Sequence, residues 1–265
     1  MLSKKAKYVR IETLKIHKKL PETRVASSLS CVEIFVAMYY GNILKYNPND
    51  PNDKNRDRFI ISKGHGSISM YPILADLGFF SKEELSNVGN NFLGSIPDPV
   101  IPGYETINGS LGHGLGVGSG VALALKRKNQ KQNVVVLVGD GELNEGSIWE
   151  AVMFASQHKL DNLTLIVDYN HVSMLNFSKN IIDLSPLRDK FEAFRWSVFE
   201  IKDGHNVDEV YKALKEAINY KDKKPKVVIA NTVKGKGVDF LEKSSLSHVL
   251  SIKSNDIKKY IEELK

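Results

Sequence analysis

Apolar residues recur along this chain with two different periods, and each period predicts a different kind of element. Residues 4–20, with Val9, Ile11 and Leu14, and residues 28–44 carry them at helical spacing. We expect two helices packed on a core there. Short runs rich in β-branched residues predict strands at 58–62, 133–138, 163–168, 196–201 and 226–231. Runs that are apolar throughout are typical of strands covered on both faces.

Helical stretches at 147–160 and 207–219 lie between the later strands. Alternating strands and helices favour an α/β fold in which a parallel sheet is flanked by helices. We expect residues 1–265 to form a single domain. The least regular stretch, 89–110, is rich in Gly, Pro and Asn and is expected to be a loop lining a site.

Composition narrows the functional classes. The chain has 265 residues, a net charge of +6 and one cysteine, Cys31, which we interpret as a packed side chain. The lysines are spread along the chain without a nucleic-acid motif, so we expect no nucleic-acid partner. No apolar run is long enough for a membrane span, and the basic first residues lack the apolar core of a secretion signal. We expect a cytoplasmic protein.

The stretch "VVVLVGDGELNEGSIWEA" places Asp140 between Gly139 and Gly141 at the end of a predicted strand. Ligands of open α/β sheets bind at the carboxyl ends of strands, and glycines permit a tight turn and a close ligand approach. Backbone amides at the next helix start favour an anion, which Asp140 would repel. A hard cation, Mg²⁺ or Ca²⁺, between aspartate and phosphate resolves the conflict.

Asn170 follows the next predicted strand, one helix and one strand after Gly141. In a parallel unit the two strand ends are neighbours, so Asn170 and Asp140 could supply oxygen ligands to one metal ion. The alternative is that both are ordinary turn residues, a role that their residue types favour.

The stretch "GDGELNEGSIWEAVMFASQHKLDNLTLIVDYN" resembles the thiamine diphosphate fingerprint, and its interior resembles that of transketolases. The motifs "DRFIISKGHGSISMYPILADLGF", "GSLGHGLGVGSGVALALK", "KDGHN" and "ANTVKGKGVDFLE" follow the order of a transketolase amino-terminal domain, so the similarity covers roughly residues 8–250. The resemblance implies the diphosphate-binding half of a split transketolase. A separately encoded C-terminal subunit would carry the pyrimidine-binding domain and the activating glutamate, in a heterotetramer.

The resemblance also implies roles for individual residues. Asp140, Asn170 and the Val172 carbonyl would bind the metal. The cofactor-binding set would be His65, Gly109, Leu111, Gly139, Gly141, Asn170 and His248. Glu145 would lie at a subunit contact linked to the activating glutamates, and with His65 and His248 it forms the catalytic set. Otherwise the histidines are surface or capping residues, and Glu145 is a first-turn acid that favours the helix dipole.

Some positions depart from the family pattern. Arg24 stands where transketolases carry a histidine that contacts the donor, Ser95 is expected to replace a second histidine, and Ser247 replaces a tryptophan. Arginine binds carboxylate or phosphate through two parallel hydrogen bonds. One hypothesis is therefore a changed substrate, such as a 2-oxo acid or a modified sugar. The alternative is a structural ion pair at Arg24 and ordinary ketose phosphates.

The leading functional hypothesis is transfer of a two-carbon ketol unit from a ketose-type donor to an aldehyde acceptor. A decarboxylating acyl or aldehyde transferase with a 2-oxo acid donor would use the same cofactor. A non-catalytic relic is a different class, and retention of Asp140, Asn170, His65 and His248 argues against it. A Rossmann-type nucleotide enzyme is disfavoured because the glycines at 112–120 do not follow a strand.

Overall fold

A computed structural model of the chain describes residues 1–90 and 92–264. Its centre is a parallel five-stranded sheet with the strand order β1-β2-β3-β5-β4. The strands are β1 (Arg58–Ile61), β2 (Val134–Gly139), β3 (Leu163–Tyr169), β4 (Ser197–Ile201) and β5 (Lys226–Asn231). All five lie where the sequence predicts them, and the predicted α/β fold is confirmed.

Helices cover both faces of the sheet. They are α1 (Leu2–Lys19), α2 (Val25–Leu29), α3 (Val32–Tyr40), α4 (Met70–Leu77), α5 (Gly114–Arg127), α6 (Gly146–Gln157), α7 (Leu187–Ala193), α8 (Val207–Asn219), α9 (Asp239–Glu242) and α10 (Ser254–Glu263). Short 3-10 turns occupy Gly64–Gly66, Lys82–Ser86, Gly141–Asn144 and Ser178–Asn180. The predicted helices at 147–160 and 207–219 correspond to α6 and α8. The stretch 89–110 contains no regular element among its described residues.

Strand β2 shows why the central strands are apolar throughout. Val135 and Leu137 face the core formed with α1, α3, α4 and α8. Val134, Val136 and Val138 alternate with them and face the core formed with α5, α6 and α7. Successive side chains of a strand point to opposite faces, so a strand covered on both sides requires apolar residues at every position.

A third apolar cluster anchors the C-terminal part of the described chain. It joins Leu14 of α1 and Leu29 of α2 to Leu241 of α9 and Ile257 of α10. The segment between α9 and α10, which carries His248, therefore crosses the structure close to α2.

The prediction of one helix over residues 28–44 was wrong. The chain turns at Ser30 and Cys31, which separate α2 from α3. The Ser30 hydroxyl contacts both the Ser27 carbonyl, at 3.0 Å, and the Asp168 carboxylate, at 2.5 Å. A side chain that bonds to nearby backbone offers an alternative to the helical ladder, which periodicity alone does not reveal. Cys31 is buried as expected, and burial raises the pKa of its thiol to about 12.

Two glycines of α5 provide a matched test of the helix–sheet contact. A methyl group added at Gly118 would lie 2.5 Å from a Val136 methyl carbon, whereas one added at Gly120 would meet nothing within 4 Å. We predict that Gly118→Ala destabilises the chain by about 1–3 kcal/mol through overpacking. Gly120→Ala should be neutral or stabilise by up to about 1 kcal/mol. Urea unfolding checks both, and equal effects would contradict this packing.

Candidate active site

A cavity of about 450 Å³ opens at the carboxyl edge of the sheet. The sequence-predicted residues that line it are Arg24, His65, Gly109, Leu111, Gly139, Asp140, Gly141, Glu145, Asn170, Val172 and His248. These residues come from stretches that are far apart in the chain. The fold therefore brings together the predicted metal-binding and cofactor-binding sets, while Ser95 is not part of the cavity wall.

Strand register places Asp140 beside Asn170. Gly139 pairs with Asp168 across β2 and β3, and the Asp140 amide donates to the Asp168 carbonyl at 3.2 Å. Asp140 and Asn170 each come directly after their strand, so both side chains reach the same wall. This is the adjacency that the sequence predicts.

Backbone conformation does not explain why positions 139 and 141 are glycines. Neither Gly139 nor Gly141 has a backbone φ in the left-handed region, so the turn does not require glycine conformationally. The amides of both residues are also occupied, since Gly139 donates to Glu142 at 3.3 Å and Gly141 donates to Asp140 at 3.0 Å. Both glycines do line the cavity.

Oxygen atoms of the predicted metal ligands have few competing partners. Asp140 accepts from the Ser178 hydroxyl at 2.9 Å and forms no ion pair within residues 1–90 and 92–264. Burial raises the pKa of this carboxyl, and the charge of Lys234 partly offsets the rise. The Val172 carbonyl accepts from Lys234 Nζ at 3.0 Å. A buried carboxylate beside amide and carbonyl oxygens fits a hard cation, which would also relieve the desolvation of Asp140.

The described residues contain no cluster of three or more His, Cys, Asp or Glu side chains able to hold a metal ion. The predicted set differs in kind, since Asp140 is its only carboxylate. Its other ligands are the Asn170 amide oxygen and a backbone carbonyl, and further oxygens would come from a bound diphosphate and water.

Two buried lysines line the cavity and were missed from the sequence. Lys63 is fully buried and pairs with Asp168, whose charge raises the pKa of Lys63 against the opposing effect of burial. Burial, reinforced by the charge of Lys63, lowers the pKa of Lys234 to about 8. Each lysine precedes a glycine shortly after a strand, in "SKG" and "VKG", and that position could have identified them. A lysine ammonium that lines a cavity is a charge that could bind a phosphate group.

The two predicted histidines form a pair in the cavity. Their rings meet edge to face, with centroids 4.9 Å apart. Burial, with the charges of Lys234 and Arg24, lowers the pKa of His248 to about 4. Burial and the charge of Lys63 hold the pKa of His65 well below its ordinary value. Both rings are therefore neutral near pH 7 and can donate one hydrogen bond each to a phosphate oxygen.

Two glycines near the cavity permit close packing of the backbone. A methyl group added at Gly64 would lie 1.6 Å from the Asn108 carbonyl oxygen, so only glycine lets the 97–109 loop pass beside His65. Gly112 has a φ of +87°, and its amide donates to the buried Glu142 carboxylate at 2.9 Å. Glu142 also accepts from the Ser62 hydroxyl. This carboxylate, which the sequence did not single out, joins the ends of β1 and β2 to the Gly112 turn.

Comparison with known proteins identifies the family. Residues 3–264 match the family described as transketolase, thiamine diphosphate binding domain. The chain is 36% identical over 272 residues to the 6-deoxy-6-sulfo-D-fructose transketolase subunit SqwG of Clostridium sp. (strain MSTE9), with 99% of this chain and 96% of the relative covered. It is 39% identical to an apulose-4-phosphate transketolase subunit of Actinobacillus succinogenes, with 100% and 96% covered. The chain belongs to the transketolase family.

Full-length transketolases match over part of their length. The Campylobacter jejuni transketolase structure has a TM-score of 0.91 and 32% identity, and the match covers 99% of this chain and 42% of that protein. Human transketolase is 33% identical over 90% of this chain and 38% of its own length. The chain thus corresponds to the thiamine diphosphate-binding domain of a transferase of aldehyde or ketone residues. No helix among its described residues is long and apolar enough to cross a membrane.

The residues that depart from the transketolase pattern have different locations. Arg24 is exposed at the cavity wall, and no hydrogen bond or ion pair of its side chain occurs in the described structure. The structural ion pair considered as an alternative is therefore not observed there. Ser95 is partly buried outside the wall, and the carbonyls of the residues before and after it accept from the Tyr71 hydroxyl.

Glu145, which matches the family pattern, is exposed where α6 begins, as a subunit contact would require.

A second cavity of about 410 Å³ adjoins the first, and Asp140 and Asn144 line both. Its other walls include the apolar side chains of Leu143, Phe177 and Ile182. The residues that line it do not include Lys63, Lys234, His65 or His248. The first cavity, which contains these cationic and imidazole groups, is therefore the better candidate for a diphosphate.

His17 anchors the segment that carries His248. Thr23 donates its hydroxyl proton to the Leu20 carbonyl at 2.7 Å, so His17 Nδ1 must be the donor in its 2.8 Å contact with Thr23. His17 Nε2 then accepts from the Ile252 amide at 3.2 Å. This arrangement requires a neutral ring, and burial lowers the pKa of His17 to about 4.

The His17 anchor predicts a pH dependence. The folded-state pKa lies below the ordinary value of the unfolded chain, so the unfolded state takes up the proton first as pH falls. The contribution of His17 to the free energy of unfolding should be fully present above about pH 6.5. It should fall by about 2–3 kcal/mol as the pH decreases to 4. His17→Gln should flatten this part of the profile. Chemical unfolding from pH 4 to 8 tests it, and an unchanged slope in the variant would refute the assignment.

Proposed function

We propose that this chain is the diphosphate-binding subunit of a thiamine diphosphate- and Mg²⁺-dependent split transketolase. It would transfer a two-carbon ketol unit from a ketose-type donor to an aldehyde acceptor. The observation that carries the proposal is the convergence of Asp140, Asn170 and the Val172 carbonyl at two neighbouring strand ends, beside two buried lysines.

The residues at the cavity would have two separate roles, metal binding and phosphate binding. Asp140, Asn170 and Val172 would hold Mg²⁺, or Ca²⁺, against the diphosphate. Lys234, His65 and His248 would bind phosphate oxygens, the lysine by charge and the neutral rings by single hydrogen bonds. Bound thiamine diphosphate supplies the electron sink needed to break a carbon–carbon bond beside a carbonyl. This chain supplies the anchoring and positioning, and the metal serves as a structural clamp.

A separate partner is supported by relative length and by surface chemistry. The two relatives named as subunits are nearly coextensive with this chain. Exposed apolar side chains flank the cavity, with Ile96 and Ile107 near Gly109 and Met174 and Leu175 near Val172. Such a patch marks a protein interface. We propose that a C-terminal transketolase subunit carrying the activating glutamate docks there, and that two such pairs form a heterotetramer.

The position of Arg24 supports a proposal for the substrate class. Its guanidinium lies at the cavity wall without a partner among the described residues, and Lys234 is available for the diphosphate. The relatives' names specify a sulfonated and a phosphorylated sugar, both of which are anions. We propose that Arg24 binds the oxyanion of a modified or phosphorylated sugar. A 2-oxo acid donor, whose carboxylate Arg24 could also bind, is the second candidate.

Calorimetric titration tests the cofactor assignment. Thiamine diphosphate with Mg²⁺ is titrated into the chain, with and without the product of the adjacent reading frame. We expect binding that is strengthened by the partner and lost in Asp140→Ala, because the variant removes the only charged metal ligand. A wild-type complex that binds no cofactor would favour a non-catalytic relic.

Donor kinetics test the role of Arg24. The reconstituted complex is assayed with xylulose 5-phosphate, with pyruvate and with the uncharged ketose erythrulose. Arg24→Gln should lower kcat/KM for the preferred anionic donor by about 10–100-fold, the worth of a charge-assisted hydrogen bond, and change erythrulose turnover less than about threefold. Arg24→His restores the histidine that transketolases carry at this position, so it tests whether the permanent charge of arginine is needed. Equal losses for charged and uncharged donors would exclude anion recognition.

A further inference from the structure

Asp168, near the end of β3, is a fully buried carboxylate that accepts four side-chain hydrogen bonds. Lys63, Ser30 and Asn170 donate to Oδ2, the last at 3.0 Å, and Thr232 donates to Oδ1. Each carboxylate oxygen offers about two acceptor sites, so Oδ2 is fully occupied. Asp168 does not line the cavity, and neither the resemblance nor the proposed function assigns it a role.

We propose that Asp168 is a positioning residue that fixes the side-chain amide of Asn170 with its oxygen toward the metal site. The Asn170 Nδ2 group donates to Asp168 Oδ2 at 3.0 Å, while Asn170 Oδ1 accepts from the Val172 amide at 3.2 Å. An ionised carboxylate only accepts hydrogen bonds. It therefore selects the nitrogen end of the amide, and the oxygen must point away from it. The proposal rests on the metal role of Asn170 in the proposed function.

The reversed amide would be unfavourable at both ends. Rotation by half a turn would place Asn170 Oδ1 against the Asp168 carboxylate, acceptor against acceptor, and Nδ2 against the Val172 amide, donor against donor. Both groups are buried, so neither mismatch could be relieved by bulk water. The oxygen stays on the side of Val172, whose carbonyl is the third predicted ligand.

The neighbours of Asp168 hold it in place. Lys63 follows β1, Thr232 follows β5 and Ser30 lies in the turn between α2 and α3, so three elements fix one carboxylate. Groups that orient metal ligands in this way typically change metal affinity by about 10–100-fold when they are lost. Among these partners, Asn170 is the one that belongs to the predicted metal-binding set, so Asp168 is expected to act on Mg²⁺ binding through it.

Substitution at position 170 gives the sharpest test. Aspartate is ordinarily the stronger Mg²⁺ ligand, so Asn170→Asp would tighten binding if the amide had only a ligand role. Here the new carboxylate would face Asp168 across the present 3.0 Å contact. We expect Asn170→Asp to weaken Mg²⁺ binding by about 10-fold or more. Mg²⁺ is titrated calorimetrically into the complex of both subunits with saturating thiamine diphosphate, without an activity assay.

A double variant separates local repulsion from general damage. Asn170→Asp with Asp168→Asn removes one of the two facing carboxylates, so part of the lost Mg²⁺ affinity should return. Thr232→Val is the matched control, because it removes another donor to Asp168 without touching Asn170. It should lower the thermal midpoint of unfolding while changing Mg²⁺ affinity less than about threefold.

The outcomes distinguish the two proposals. If Asn170→Asp binds Mg²⁺ as tightly as the wild type, Asp168 does not position the ligand, whether or not the double variant folds. If the wild-type complex binds thiamine diphosphate but shows no Mg²⁺ dependence, the metal site and its positioning residue both fail. Absence of cofactor binding overturns the proposed function as well.

Discussion

The parallel register of four strands is the constraint on which the site depends. Lys63, Asp140, Asn170 and Lys234 each follow a strand of the sheet within three residues, and strands β1, β2, β3 and β5 are consecutive neighbours. Because parallel strands end at the same edge, four distant stretches of sequence deliver polar side chains to one cavity. A slip of one residue in any strand would exchange its buried faces and turn these side chains away.

Burying that much charge is tolerable only if each group has a partner. Lys63 and Asp168 form a buried ion pair. Burial alone would raise the pKa of Asp168, but Lys63 and the Ser30 and Thr232 hydroxyls hold it below its ordinary value. Within residues 1–90 and 92–264, Asp140 and Lys234 lack such a pairing, and burial shifts the pKa of each toward the value that favours its neutral form. A metal cation would stabilise ionised Asp140, and a diphosphate would stabilise protonated Lys234. The least satisfied charges are therefore those assigned to ligand binding.

Much of this arrangement is predictable from the sequence, and the failures have physical causes. The strands and the adjacency of Asp140 and Asn170 follow from runs of branched apolar residues and from parallel topology. The helix break at Ser30 was missed because it depends on a long-range contact with Asp168. Lys63, Lys234 and Glu142 were missed because charged residues are ordinarily exposed, and only tertiary structure shows that these are buried. Ser95 was assigned by sequence similarity in an irregular loop, where no periodicity constrains the position of a side chain.

A crystal structure of this chain with its partner, thiamine diphosphate and Mg²⁺ tests the central claim most directly. The account predicts a metal ion at about 2.1 Å from oxygens of Asp140, Asn170 and Val172, with the diphosphate beside Lys234 and the two histidines. The Asn170 side-chain nitrogen should still donate a hydrogen bond to the Asp168 carboxylate. A diphosphate bound in the neighbouring cavity beside Phe177, or a metal ion held without Asp140, would contradict the account.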